Sequence, residues 1–277
     1  MKKAARQFKR IGLIGNAEKP AFRRVIQQAA RLITDSGRIA RADTDIAALA
    51  REVDLLLVFG GDGTMLRAAR ETAGSATPIL GINTGSLGFL TAASAKDLTA
   101  TLKKVWAGEV RFESRPLIEA RGKKSSDLAL NDFVIARGSQ PRLIELEVRV
   151  DGQPVTRYRA DGLIVSSPTG STAYSLAAGG AIIVPTAEVF ALTPVCAHTL
   201  SNRSLVLGFD SKIEIKNVSS RDDDAVLSGD GQSLHKLAPG ETVTIRRSRH
   251  TARLVYLQDS SFFGTLRAKL GWRGAAV

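Results

Sequence analysis

The chain has 277 residues, 44% of them hydrophobic and 24% charged. That is enough for one large domain or two modest ones with their own cores, and it excludes a low-complexity or disordered protein. A net charge of +12 invites nucleic acid as a partner. The basic residues are spread along the chain, however, with Arg246-Arg247-Ser248-Arg249-His250 the one dense run, and only 5% of residues are aromatic, so stacking platforms for bases are scarce.

No nucleic-acid partner is therefore expected, and the positive balance suits an enzyme with polyphosphate substrates. The longest apolar run, Val53 to Phe59, is interrupted by Asp54 and falls far short of the roughly 20 residues of a membrane helix. Ile11 to Ile14, ended by Gly15-Asn16, is too short for a signal-peptide core. Cys196 is the single cysteine, so no intrachain disulfide can form and a cytoplasmic, reducing setting fits.

In chain order, Ile11–Ile14 reads as a strand. Phe22 to Ile33 follows as a helix with Phe22, Val25, Ile26, Ala29, Ala30 and Ile33 on one face. Val53–Phe59 reads as a buried parallel strand, Met65–Thr72 as a helix, Pro78–Ile82 as a strand and Leu98–Trp106 as a helix. The alternation implies a parallel sheet with crossovers. Near Glu109–Arg115 the pattern changes. Ile144, Leu146, Val148 and Val150 alternate with Glu145, Glu147 and Arg149, and Asp151-Gly152 turns the chain into Val155–Arg159. Short strands follow at Leu205–Phe209, Lys212–Val218, Ala225–Ser228, Thr242–Arg246 and Arg253–Leu257, before a helical tail, Phe262–Trp272. The pattern is an α/β part with a parallel sheet followed by a mainly antiparallel β part, with a helical tail.

Common catalytic sets are missing. His198, His235 and His250 have no ligand spacing, and there is no cysteine pair, so no zinc site is expected. Neither a Gly-x-x-x-x-Gly-Lys-Ser/Thr loop nor a Gly-x-Gly-x-x-Gly after the first strand is present. Three other segments carry chemistry. Gly60-Gly61-Asp62-Gly63-Thr64 stands where a strand ends and a helix begins, the edge at which α/β sheets bind ligands. Its glycines admit a phosphate to the backbone, and Asp62 can accept the proton of an attacking hydroxyl or hold it in line. A tight turn with Asp62 or Thr64 as helix cap is the alternative. Asn131-Asp132, ahead of an apolar strand, suits a ribose diol or an Asx turn. Asp161 through Gly180 runs from a strand into a turn dense in hydroxyls and small residues around Tyr174, which suits a flat ligand; Thr169, Ser171 or Thr172 could cap a helix there.

Taken in order, these segments resemble the NAD kinase family across most of the chain: Gly-Gly-Asp-Gly-Thr, then Asn-acid, then Asp161-Gly162-(x)5-Pro168-Thr169-Gly170-Ser171-Thr172-Ala173-Tyr174. The first motif is shared with lipid kinases and phosphofructokinases; the third is highly specific. Thr193 to Arg203 adds a Thr-Pro-x-Cys-x-His-x-Leu-Ser-x-Arg stretch that the family tends to carry.

The resemblance implies transfer of a phosphoryl group from ATP to the 2′-hydroxyl of the adenosine ribose of NAD, giving NADP. It implies an α/β domain with a parallel sheet over residues 1–112 with the returning tail 260–277, and a mainly antiparallel β-sandwich over residues 113–259. It also implies magnesium accompanying ATP on its phosphate oxygens, and a homodimer or homotetramer with its active site between domains; the sequence itself offers no dedicated protein metal cage. Asp62 becomes the proton acceptor, and Gly63 lies at the diphosphate. Asn131 and Asp132 hold the ribose, with Asp132 where the family often has Glu. Asp161 and the run Thr172, Ala173, Tyr174, Ser175, Leu176 and Ala177 wall the NAD site, and Gln232 contacts the dinucleotide. Arg142 and Arg159, flanking the hairpin, are candidates for a pyrophosphate. His198 and Cys196 read as structural.

Overall fold

The computed structural model describes residues 8–15, 20–85, 88–123, 126–138, 142–198, 203–220 and 225–272. Residues 199–202 of the Thr193–Arg203 stretch, and Asn16 of the first turn, lie outside them. The chain divides into two compact units, Met1–Ser114 with Ala252–Val277, and Arg115–Thr251.

The first unit is built on β1 (Arg10–Gly15), α1 (Pro20–Asp35), β2 (Ile39–Ala42), α2 (Ile46–Glu52), β3 (Leu55–Gly60), α3 (Asp62–Glu71), β4 (Ile79–Asn83), β5 (Ala93–Ser94) and α4 (Leu98–Ala107). Its parallel sheet runs β2-β1-β3-β4, with Ile11 beside Leu55 and Leu57 beside Leu80. Every residue of β3 is buried. A central parallel strand is covered on both faces, hence its unbroken apolar run. Val53 belongs instead to the end of α2, in extended geometry, so the strand begins at Leu55.

β2 and α2 are additions that hydrophobic periodicity did not announce. β2 has four residues and no buried side chain, and α2, only seven residues long, buries Ile46, Leu49 and Ala50 and is capped by Asp45, which accepts from the Ala48 N–H at 2.9 Å.

The second unit contains β7 (Ser126–Ala129), β8 (Asp132–Arg137), β9 (Ile144–Val150), β10 (Gln153–Ala160) and β11 (Gly162–Ser166). These are followed by a 3₁₀ turn at Thr169–Thr172, α5 (Tyr174–Ala177), β12 (Val189–Val195), β13 (Leu205–Gly208), β14 (Ile213–Asn217), β15 (Ala225–Gly229) and β16 (Gln232–Leu237). The chain enters it along β6 (Val110–Arg121) and leaves along β17 (Thr242–Leu257), after which α6 (Phe262–Leu270) belongs to the first unit. One sheet carries β10-β9-β14-β17, and the other runs β13-β12-β11-β8-β15-β16. Their facing side chains make one core: Ile144, Leu146, Val148, Ile213 and Val243 against Phe133, Ile135, Leu163, Phe190 and Leu227. That is the sandwich the resemblance implies, built from the antiparallel strands the alternation announces.

Two of the expected strands are one. Thr242–Arg246 and Arg253–Leu257 are the ends of the 16-residue β17. The basic run between them hides the continuity, because Arg247 and Arg249 are exposed and carry no apolar alternation. Among the described residues, no helix is long and apolar enough to cross a membrane.

Candidate active site

In the first unit, Gly60 at the end of β3 lies beside Asn83 at the end of β4. The helix that follows starts earlier than periodicity alone indicates: Asp62 is the first residue of α3, with Gly61 as its cap. Two kinds of glycine meet here. Gly60 is required by packing, since a Cβ on it would stand 2.3 Å from Thr64 Oγ1. Gly61 and Gly63 have nothing within 4 Å of an added Cβ and no left-handed backbone. No contact among the described residues asks for glycine there, and the open space leaves the backbone accessible to a ligand. The N–H groups of Asp62 and Gly63 have no partner among the described residues, as expected for a first helical turn. Open amides, the positive end of α3 and free space together make an anion site.

The Asp62 carboxylate is held. It accepts from the Phe89 N–H at 2.9 Å and the Leu90 N–H at 3.0 Å. A carboxylate has about four acceptor positions, so capacity remains for a hydroxyl. Gly88 makes the arrangement possible, because a Cβ there would lie 2.1 Å from Asp62 Oδ1.

Sequence reasoning passed over the loop from Asn83 to Thr91. Asn83 is buried, accepts from the Gly85 N–H at 2.6 Å and donates to Thr91 Oγ1 at 3.4 Å. The available signal was Asn83, Gly85 and Gly88 following a strand at the same sheet edge. Lys269 of α6 adds a cation, its Nζ 5.6 Å from the centre of the Phe89 ring.

In the second unit, β8 and β11 pair antiparallel with Asp132 opposite Ser166. The turn leaving β11 folds onto the start of β8. Ser167 donates from its N–H to Asn131 O at 2.8 Å and from Oγ to Leu130 O at 2.5 Å. Gly170 lies on the Asn131 backbone so closely that a Cβ would be 2.2 Å from its carbonyl oxygen. On the other side, the two-residue turn between β15 and β16 brings Asp230, whose carboxylate accepts from the N–H groups of Leu130, Asn131 and Asp132 at 3.0, 2.8 and 3.4 Å. Gln232, exposed, opens β16 beside that turn. Asn131, Asp132, the Ser167–Thr172 turn, Asp230 and Gln232 thus share one end of the six-stranded sheet. Asp132 is 4% exposed; burial, and then the charge of Asp230, push its carboxyl up to about 7.

The helix expected after this turn is short: the 3₁₀ turn Thr169–Thr172, then α5. Tyr174 is 47% exposed, so its ring does not fill the core. Ser175 is buried, its Oγ 3.1 Å from Thr193 Oγ1. Thr172, Ala173 and Leu176 are half-buried, Ala177 is exposed, and Thr172 Oγ1 donates to Thr169 O at 3.4 Å.

Asp161, Arg159 and Arg142 are not brought to this end of the sheet. Asp161 precedes Gly162, which pairs with Ala136 at the far end of β8, and accepts from Arg137 Nε at 2.9 Å. Five residues of strand, roughly 16 Å, separate that end from Asp132. Arg159 is exposed near the end of β10, its carbonyl accepting from the His198 N–H at 2.9 Å. Arg142 is exposed in the bend before β9.

Residues 11–110 match the model of the ATP-NAD kinase N-terminal domain, and residues 130–257 that of the ATP-NAD kinase C-terminal domain. The chain is similar to the NAD kinase of Symbiobacterium thermophilum, at 46% identity over 79% of each chain. It is also similar to the NAD kinase of Methylibium petroleiphilum, at 38% over 97% of this chain and 96% of the other. Among solved structures, yeast NADH kinase complexed with NADH superposes with a TM-score of 0.83 at 26% identity, over 98% of this chain and 90% of that one. An Archaeoglobus fulgidus NAD kinase in complex with ATP gives 0.79 at 28% identity, over 96% and 100%. With a held carboxylate at an anion-binding helix start, an Asn-acid pair under a glycine-pinned turn, and this likeness over nearly its whole length, the chain belongs to the NAD kinase family.

Proposed function

We propose that the protein transfers the γ-phosphoryl group of ATP to the 2′-hydroxyl of the adenosine ribose of NAD, releasing ADP and NADP. One relative was solved with ATP and another with NADH, which supports both classes of substrate here. The observation that carries the reading is Asp62, fixed by two backbone amides at the start of α3 between two glycines that face open space. In this reading Asp62 orients the ribose hydroxyl and takes its proton as the new O–P bond forms and the bond to the ADP oxygen breaks. The N-terminus of α3 and the Gly63 backbone meet phosphate oxygens.

Asn131 and Asp132 hold the ribose diol, Asn131 able to donate and accept, ionised Asp132 to accept. Tyr174 offers its exposed ring to a base, and Gln232 a polar contact. Arg142, Arg159 and Asp161, at the other end of β11, would serve a part of the ligand distant from Asp132. A divalent cation, magnesium in this reading, arrives on the phosphate oxygens of ATP and neutralises charge there. The described residues contain no group of three or more His, Cys, Asp or Glu that could hold one.

Incubation with magnesium-ATP and NAD should give a product that an NADP-specific dehydrogenase reduces. Phosphorus NMR should show a monoester on the adenosine 2′-oxygen. A 3′-phosphate, or one on the nicotinamide ribose, would refute the assignment.

Tyr174→Ala tests the binding surface. A base stacked on an aromatic ring contributes about 1–3 kcal/mol, so KM for NAD should rise about ten- to a hundred-fold. KM for ATP and the melting temperature should stay near the parent's. Equal losses for both substrates with a lower melting point would mean that the ring serves packing.

A further inference from the structure

We propose that Asp230 is a positioning residue: its carboxylate clamps the backbone that presents Asn131 and Asp132, and its negative charge faces Asp132 across the turn. This rests on the ribose-binding reading of that pair.

The clamp is geometric. Three successive N–H groups, of Leu130, Asn131 and Asp132, point at one carboxylate, and the Asp230 N–H returns a bond to Asp132 O at 3.0 Å. Asp230 and Gly231 have φ of 49° and 75°, the left-handed pair of a two-residue hairpin turn. An aspartate is thus placed with its backbone fixed by the turn and its side chain fixed by the neighbouring strand. Two negative groups so close are unfavourable unless one gains a proton or a partner. The polar groups on the elements packed around Asp132 include Ser166 of β11, Asp230 and Gln232 of the hairpin, and Thr169 of the following turn, to which buried Arg115 donates at 3.4 Å. Burial raises Asp132, and Asp230 raises it further, so near neutrality the empty site holds Asp132 poised between its two forms. Ribose hydroxyls donating to the carboxylate would draw it to the ionised form. KM for NAD should therefore improve as pH rises through about 7.

Asp230 could instead be no more than a good turn former, since Asp-Gly is a favoured hairpin pair. Asn-Gly is equally favoured, and the one asparagine oxygen can still accept from the Asn131 and Asp132 amides. Asp230→Asn therefore keeps the turn and that part of the clamp, and removes the charge together with the acceptor that faces the Leu130 amide. The expected result is a pH profile of KM for NAD displaced by about one unit toward acid, so that the variant binds NAD better than the parent below neutrality. A profile that does not move overturns the proposal.

Asp230→Ala removes the clamp as well; KM for NAD should rise at least about tenfold with a smaller change in kcat at saturation. A rise no larger than that of Asp230→Asn would count against the clamp. Should the alanine variant fail to fold, the asparagine profile still decides. Asp132→Asn separates the two readings. If it leaves KM for NAD unchanged, the ribose assignment itself is wrong. If it raises KM while the Asp230→Asn profile stays on the parent's, Asp230 alone has been misread.

Discussion

Asp62→Asn should lower turnover on NAD by roughly 10²-fold or more, the usual reach of a positioned general base. Two consequences of the substitution act together. The amide cannot take the ribose proton. It also has one acceptor oxygen in place of two, so of the Phe89 and Leu90 N–H groups, now at 2.9 and 3.0 Å, one would face an NH2 group. Losing a hydrogen bond to a charged acceptor costs about 1.5–3 kcal/mol, so the Gly88–Leu90 loop should loosen and the melting temperature should fall by several degrees. KM for NAD should move far less than kcat, because Asn131, Asp132 and Tyr174 keep their places. Steady-state kinetics with both substrates varied, beside a thermal melt, separate the effects. Near-normal turnover with a lowered melting point would reduce Asp62 to a brace for the loop.

Asp132→Asn should do the opposite to stability. With its folded carboxyl near 7 against an unfolded value near 3.8, Asp132 keeps its proton in the folded state over a range where the unfolded chain has lost it. The folded form therefore binds more protons between those values, and stability falls as pH rises across them. Below about 4 the group contributes nothing, and above about 7 the penalty is complete, on the order of 4 kcal/mol. Asparagine removes the charge and can donate to Asp230. At about pH 8 the variant should melt roughly 5 °C or more above the parent, and at about pH 5 the gap should shrink to roughly 40% of that. KM for NAD should rise about tenfold or more, since a charge-assisted bond to the ribose is lost. Melts at the two pH values test this directly. A variant less stable than the parent at alkaline pH would show that the carboxylate is satisfied in the folded state.

The legible parts of the fold were those set by burial. β3 is covered on both faces and reads as a continuous apolar run; β9 is covered on one and alternates from Ile144 to Val150. What stayed hidden was held by backbone or by charge. β2 has no buried side chain, and the middle of β17 is arginine. Residue type and chain position pointed to Asp62, Asn131 and Asp132, but not to what holds them. The amides of Phe89 and Leu90 and the Asp230 carboxylate act across 27, 28 and about 100 residues of sequence, beyond any local pattern. Nearness in sequence also joined Asp161 to the turn after β11, although a strand runs between them. Whether the Tyr174 ring faces solvent or fills the core is set by tertiary packing, and the ring proves exposed.

Gly88 carries no side-chain functional group, yet a methyl on it would occupy the space of Asp62 Oδ1. In a saturation-mutagenesis screen selected for activity, position 88 should behave as though it were itself chemical, rejecting alanine as firmly as Asp62 rejects asparagine. Read by melting temperature instead, the loss caused by Gly88→Ala should shrink in a background where residue 62 has already been shortened, because the two positions compete for one volume. A designer altering acceptor specificity would have to treat residues 62 and 88 as a single genetic unit.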